Sequence, residues 1–135
     1  MLQVLTTVTE KILKQGQGWR LGWNPGALEF QGLVGGEDWA IELTAQEFQD
    51  FCRLVQELAT TMTEMTSLLM AEERISCESE SASLWLEAEG LPQAYGLHLI
   101  LNQGRRAEGY WPPEAVPELL AAIQTLDWSP QPQKH

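Results

Sequence analysis

The side chains in this 135-residue chain with the most chemical potential are a mid-chain histidine, two cysteines, two runs of alternating glutamates, and two blocks that mix tryptophan, glycine and arginine. His98 beside Cys77 or a serine would supply a base and a nucleophile, the minimum for covalent catalysis. Glu78-Ser79-Glu80 and Glu87-Ala88-Glu89 each put two carboxylates on one face of a strand, a spacing that acid–base chemistry can use. Each pattern has a plainer reading. A lone strand histidine is ordinarily a half-exposed polar residue, and alternating glutamates describe a solvated sheet face. The other histidine, His135, is the last residue. Gly35-Gly36 lacks the following Gly-Lys-Ser/Thr or the Gly-x-Gly-x-x-Gly context of a phosphate cradle. The sequence has neither a His/Cys metal cluster nor a calcium-loop pattern. It therefore reads as non-enzymatic, with no catalytic residue, cofactor or metal assigned.

The aromatic blocks are the sharper signal. The first runs Gly18-Trp19-Arg20-Leu21-Gly22-Trp23-Asn24-Pro25 and continues at Gly35-Gly36-Glu37-Asp38-Trp39-Ala40-Ile41-Glu42-Leu43-Thr44. The second runs from Leu99 to Pro112 and contains Asn102-Gln103-Gly104-Arg105-Arg106 and Tyr110-Trp111. Aromatic platforms flanked by cations are what holds a single nucleic-acid strand, so Trp19, Arg20, Trp23, Arg105 and Arg106 form a candidate nucleic-acid or partner surface. The net charge of −11, from 19 acidic and 8 basic side chains, opposes the approach of a phosphate backbone and favours cationic or protein partners. Strand tryptophans more often belong to the core.

These residues must be positioned by strands. Lys11–Gln15 is a doubtful first strand. Trp19, Leu21 and Trp23 alternate with Arg20 and Gly22 at strand period. Asn24-Pro25-Gly26 marks a turn, Leu28–Val34 reads as the next strand with Gly32 at a bulge or close approach, and Trp39–Leu43 as another. Thr44-Ala45-Gln46-Glu47 is a capping box that opens a helix. Phe48, Phe51, Cys52, Val55, Leu58, Met62, Met65 and Leu69 form its apolar stripe, which runs to about Ala71. Alternation resumes over 74–80, 84–89, 97–101 and 106–110. Pro112-Pro113-Glu114 then opens a second, shorter helix with an apolar face of Val116, Leu119, Leu120, Ile123 and Leu126. The order implies an α+β fold of two strand-then-helix units, with three clear strands and a doubtful one in the first and four in the second. Residues 11–127 form one domain of two pseudo-repeats (11–73 and 74–127), between an arm at 1–10 and a tail at 128–135.

The blocks Gly18–Pro25, Gly35–Thr44, and Leu101-Asn102-Gln103-Gly104-Arg105-Arg106 through Trp111-Pro112 resemble a small cyanobacterial family known only as a domain of unknown function. The resemblance spans roughly residues 11–127. It implies a fold like that of the Whirly and Pur-alpha single-stranded-DNA-binding transcriptional regulators, two β-β-β-β-α units with antiparallel curved sheets, in which Lys11–Gln15 would be the first strand. It brings no activity, catalytic residue or binding residue with it.

The helix stripe is longer than a four-stranded sheet needs, and its end is rich in methionine. Met62, Met65 and Leu69 are therefore the candidate face of a homodimer. No apolar run is long enough for a membrane span, and the lysines follow rather than precede the first apolar residues, unlike a signal peptide. Cys52 and Cys77 read as reduced thiols. The expectation is a non-enzymatic cytoplasmic protein that self-associates through its long helix and binds an unknown protein partner, with single-stranded DNA or RNA binding as the alternative.

Overall fold

The computed structural model describes residues 10–68, 72–102 and 104–126. The arm expected at 1–10, apart from Glu10, and the tail expected at 128–135 lie outside the described residues. Strands β1 (Ile12–Gly16), β2 (Trp19–Trp23), β3 (Gly32–Gly35) and β4 (Ala40–Leu43) form an antiparallel sheet in that order, and helix α1 (Ala45–Met65) follows. Strands β5 (Ile75–Glu80), β6 (Leu84–Leu91), β7 (Ala94–Leu101) and β8 (Glu108–Trp111) repeat the arrangement, followed by a short 3-10 turn (Pro113–Ala115) and helix α2 (Val116–Gln124). The fold is α+β, with the two β-β-β-β-α units that the sequence implies.

Local chemistry explains the boundaries. The doubtful first strand is real, pairing Ile12–Gly16 with Trp23–Trp19. The strand expected over 28–34 is short, because residues 24–31 close on themselves. The Asn24 amide donates to the Gln31 carbonyl at 2.7 Å, and the Asn24 side-chain oxygen accepts the Gly26 amide at 3.1 Å. Gly32 is the close approach that its position suggests: a Cβ there would sit 2.6 Å from that of Phe48. The capping box forms as written, with Thr44 Oγ1 accepting the Glu47 amide at 3.1 Å and Glu47 accepting the Thr44 amide at 2.9 Å.

At its other end α1 stops at residue 65, short of the 71 that its periodicity implies. The Thr66 amide and hydroxyl both turn back to the Thr63 carbonyl, at 3.2 and 2.6 Å, so a tighter turn replaces the next helical one. The helix is about 32 Å long rather than about 40 Å.

The helices cross between units. α1 lies chiefly on β5 and β6 of the second sheet, with further contacts to β3 and β4, while α2 lies on β2 and β1 of the first. Phe48, Phe51, Leu54, Leu58 and Met62 on α1 are all essentially buried, as are Leu84, Leu86, Leu97 and Leu99 of the second sheet. Each such side chain contributes about 1.5–3 kcal/mol of transfer free energy before entropy is charged against it.

Trp111 on β8 ties the units together. It is fully buried, and its indole nitrogen donates to the Gly35 carbonyl of the first sheet at 2.8 Å. Its ring lies 4.9 Å from that of Trp39 and 5.6 Å from that of Phe51, centroid to centroid. Gly109 makes room for this cluster: a Cβ there would fall 2.2 Å from the Trp39 ring. Trp19 makes a second tie, donating to Glu118 of α2 at 2.9 Å.

Replacing Trp111 with Phe keeps most of the apolar volume but removes the indole donor from a buried carbonyl. We expect a loss of about 2–3 kcal/mol in urea unfolding. A loss under about 0.5 kcal/mol, within the usual scatter of surface substitutions, would show that this bond is dispensable.

Candidate functional site

Strand geometry decides the fate of the aromatic–arginine surface. Neighbouring residues on a strand point to opposite faces. Trp19 and Trp23 therefore face the core, at 7% and 9% exposure, while Arg20 faces out. Trp23 stacks on Phe48 with centroids 5.5 Å apart. Neither tryptophan can stack on a base without opening the core.

The arginines hold backbone rather than present a platform. Arg20 donates to the Trp39 carbonyl at 2.9 Å. Arg105 donates to the Glu42 carbonyl and to the Glu47 carboxylate, and its guanidinium lies 4.5 Å above the Phe30 ring. Through Glu47 it leans on the capping box of α1, so a loop of the second unit braces the helix start of the first. Arg106 is exposed in the same loop. The tryptophans and arginines proposed as one surface thus belong to opposite sides of the first sheet and to an inter-unit brace.

Of the proposed dimer face, only Met62 is displaced by the structure. Met62 is completely buried, because α1 crosses onto the second sheet. Met65 is half-buried. Leu69 lies outside the described residues.

On the second sheet, register separates the catalytic candidates. Cys77 opposes Ala88, which opposes Leu97, a row on the buried face. His98 belongs to the next row, Glu78–Glu87–His98–Tyr110, on the outer face. Histidine and cysteine are thus divided by the sheet. His98 instead meets Glu108 at 3.1 Å and packs edge-on against Trp85, with centroids 5.5 Å apart. Among the described residues no three His, Cys, Asp or Glu side chains are grouped to hold a metal ion. Both cysteines are free.

The same register assembles a surface that motif reading missed. The outer face of the second sheet carries Glu78 and Glu80 on β5, Glu87 and Glu89 on β6, and Glu108 on β8. Trp85, His98 and Tyr110 stand among them. Glu78 and Glu87 are directly opposite each other across β5 and β6. Like charges in that relation are destabilising. Among the described residues their donors are neutral, Trp85 Nε1 at 3.2 Å for Glu78 and the Ser76 hydroxyl for Glu87. The cation seen on this face is Arg74, paired with Glu89 at 3.2 Å at its margin. The glutamate alternation was visible in the sequence, but the opposition of two glutamates follows only from the hairpin register.

Residues 14–126 match the model of a family described as "Domain of unknown function (DUF1818)", and the chain belongs to that family. A crystal structure of a protein with unknown function from the DUF155 family of Prochlorococcus sp. NATL2A is similar, with 32% identity and a TM-score of 0.80 over 85% of this chain and 98% of that one. Among curated proteins none matches the chain. Among the described residues no helix is long and apolar enough to cross a membrane.

Burial in the α1 stripe pushes the Cys52 thiol up to about 12 from its ordinary 9.0, and burial also raises the Tyr95 hydroxyl. Two outcomes follow. At neutral pH a maleimide should label half-buried Cys77 and leave Cys52 unmodified until the protein is denatured; equal labelling of both in the native state would contradict the burial. The folded chain also keeps the Cys52 proton to higher pH than the unfolded chain does. The resulting stability is complete below pH 9.0 and is lost as pH climbs toward about 12. Cys52→Ala should flatten that alkaline decline in urea midpoints, and an unchanged decline would assign it to other groups.

Proposed function

We propose that this protein is a non-enzymatic interaction module that binds a basic, extended segment of another protein across the outer face of its second sheet. The observation that carries the reading is the Glu78–Glu87 opposition within a face of five glutamates. Local rules of strand pairing disfavour it, and among the described residues neither glutamate is ion-paired with a lysine or arginine. Departures of that kind concentrate at functional sites. A lysine- or arginine-bearing partner would supply the missing charge, and Trp85, His98 and Tyr110 offer ring faces and edges to its guanidinium groups or alkyl stems. The overall charge of −11 steers such a partner toward the protein.

The alternative implied by the Whirly and Pur-alpha resemblance is binding of single-stranded nucleic acid on a sheet surface. The acidic face argues against it, as does the inward direction of Trp19 and Trp23.

The test is fluorescence-anisotropy titration with a labelled oligo-arginine peptide and, in parallel, with a single-stranded oligonucleotide, both at about 50 mM salt where charge-driven binding is strongest. The peptide should bind and the oligonucleotide should not. Glu78→Gln with Glu87→Gln should weaken peptide binding by about tenfold while raising thermal stability slightly, since the like-charge opposition is removed. Oligonucleotide binding, or peptide binding untouched by the double substitution, would defeat the reading.

A further inference from the structure

The outer face of the first sheet differs from that of the second. Its rows are Leu13–Gly22–Leu33–Glu42 and Gln15–Arg20–Gly35–Ala40. These rows carry one anion, Glu42, and one cation, Arg20, with Lys11 at the cleft and the exposed Glu29 next to Leu28 in the adjoining loop, whereas the second sheet presents five glutamates. Along the first row lies a cleft of about 340 Å³, within the roughly 300–1,000 Å³ range of sites that enclose a ligand or an anchoring side chain. Leu13, Leu33 and Phe30 supply its apolar walls, and Gly22, which has no side chain, leaves it open between Leu13 and Leu33. Lys11 and Glu42 also line it.

Two side chains beside this cleft are conspicuously exposed. Leu13 is 61% exposed and Leu28 is completely so. Leu28 stands in the loop whose Ala27 and Phe30 wall the cleft. One exposed leucine is ordinary, but an apolar knob next to an apolar hole on a near-neutral face is a pattern that wants a partner.

We infer that the occupant is a second copy of this chain, docked about a two-fold axis so that Leu28 of each copy enters the cleft of the other. The knob and the hole lie on one face, so a second copy complements both at once, and charge selects that face. Two chains of net charge −11 repel each other, and the second sheet's outer face would oppose glutamate to glutamate. Of the two outer sheet faces, the first is the one on which two copies can meet without that cost. Lys11 and Glu42, on one cleft, have complementary signs, so a two-fold operation can set each against the other across the interface. This places self-association on the first sheet and leaves the acidic face of the second free. It does not depend on what that acidic face binds.

The test is sedimentation equilibrium from about 1 to about 200 µM at about 150 mM salt. The wild-type chain should show a reversible monomer–dimer equilibrium. Leu28→Ser should weaken the dimer by at least about tenfold without changing the circular-dichroism melt, because the side chain makes no intramolecular burial to lose. Gly22→Val should do the same by filling the cleft. A Cβ at Gly22 meets its neighbours at 3.5 Å or more, so the fold accommodates the start of the new side chain. Met65→Ser, on the helix, should leave the dimer unchanged. A wild-type chain that stays monomeric at the highest concentration overturns the inference. So does a dimer that Met65→Ser disrupts and Leu28→Ser does not. A dimer indifferent to both Leu28→Ser and Gly22→Val also overturns it.

Discussion

The structure depends on an exchange of cover between its two halves. A four-stranded antiparallel sheet with one apolar face needs something laid over that face. In this chain each helix follows its own sheet in sequence but lies mainly on the other one. Each apolar face is thereby closed by the opposite unit, and the two cores become one. Polar ties at the seam follow the same pattern. Trp111 of the second sheet donates to Gly35 of the first, Trp19 of the first donates to Glu118 of α2, and Arg105 of the second braces Glu42 and Glu47. The Trp111 bond is buried and so costly to leave unmatched, while the others lie at the edge of the core, and together they fix how the halves dock as well as holding them.

The exchange also decides which surfaces remain available. With both inner faces and the α1 stripe consumed, the outer faces of the sheets are left to meet other molecules. They are chemically unlike. The first is sparsely charged and notched where Gly22 stands between Leu13 and Leu33. The second gathers five glutamates around an aromatic strip. Two surfaces of such different character suit two different kinds of encounter, with like molecules on one side and cationic ones on the other.

Much of the local structure was legible in the residues. The period-two run Trp19–Trp23 gave a strand, the Thr44–Glu47 box gave the start of α1, and the prolines at 112 and 113 gave the approach to α2. The same alternation already implied that Trp19 and Arg20 could not share a face, a consequence that the aromatic–cation pattern obscured. Met62 was misplaced for another reason. The length of an amphipathic stripe shows how much must be covered, not which sheet covers it, and a helix crossing to the other unit uses more of its stripe than one lying on its own.

By itself the sequence determined most of the elements, their order and the alternation of faces along them, because those follow from residue periodicity, capping and turn chemistry over short stretches of chain. Only the tertiary structure decided which helix closes which sheet, that Arg20 and Arg105 serve backbone carbonyls, and that Glu78 and Glu87 stand opposite each other. Those outcomes depend on register and docking between residues far apart in the chain, and such contacts leave no periodic trace in the residues that make them.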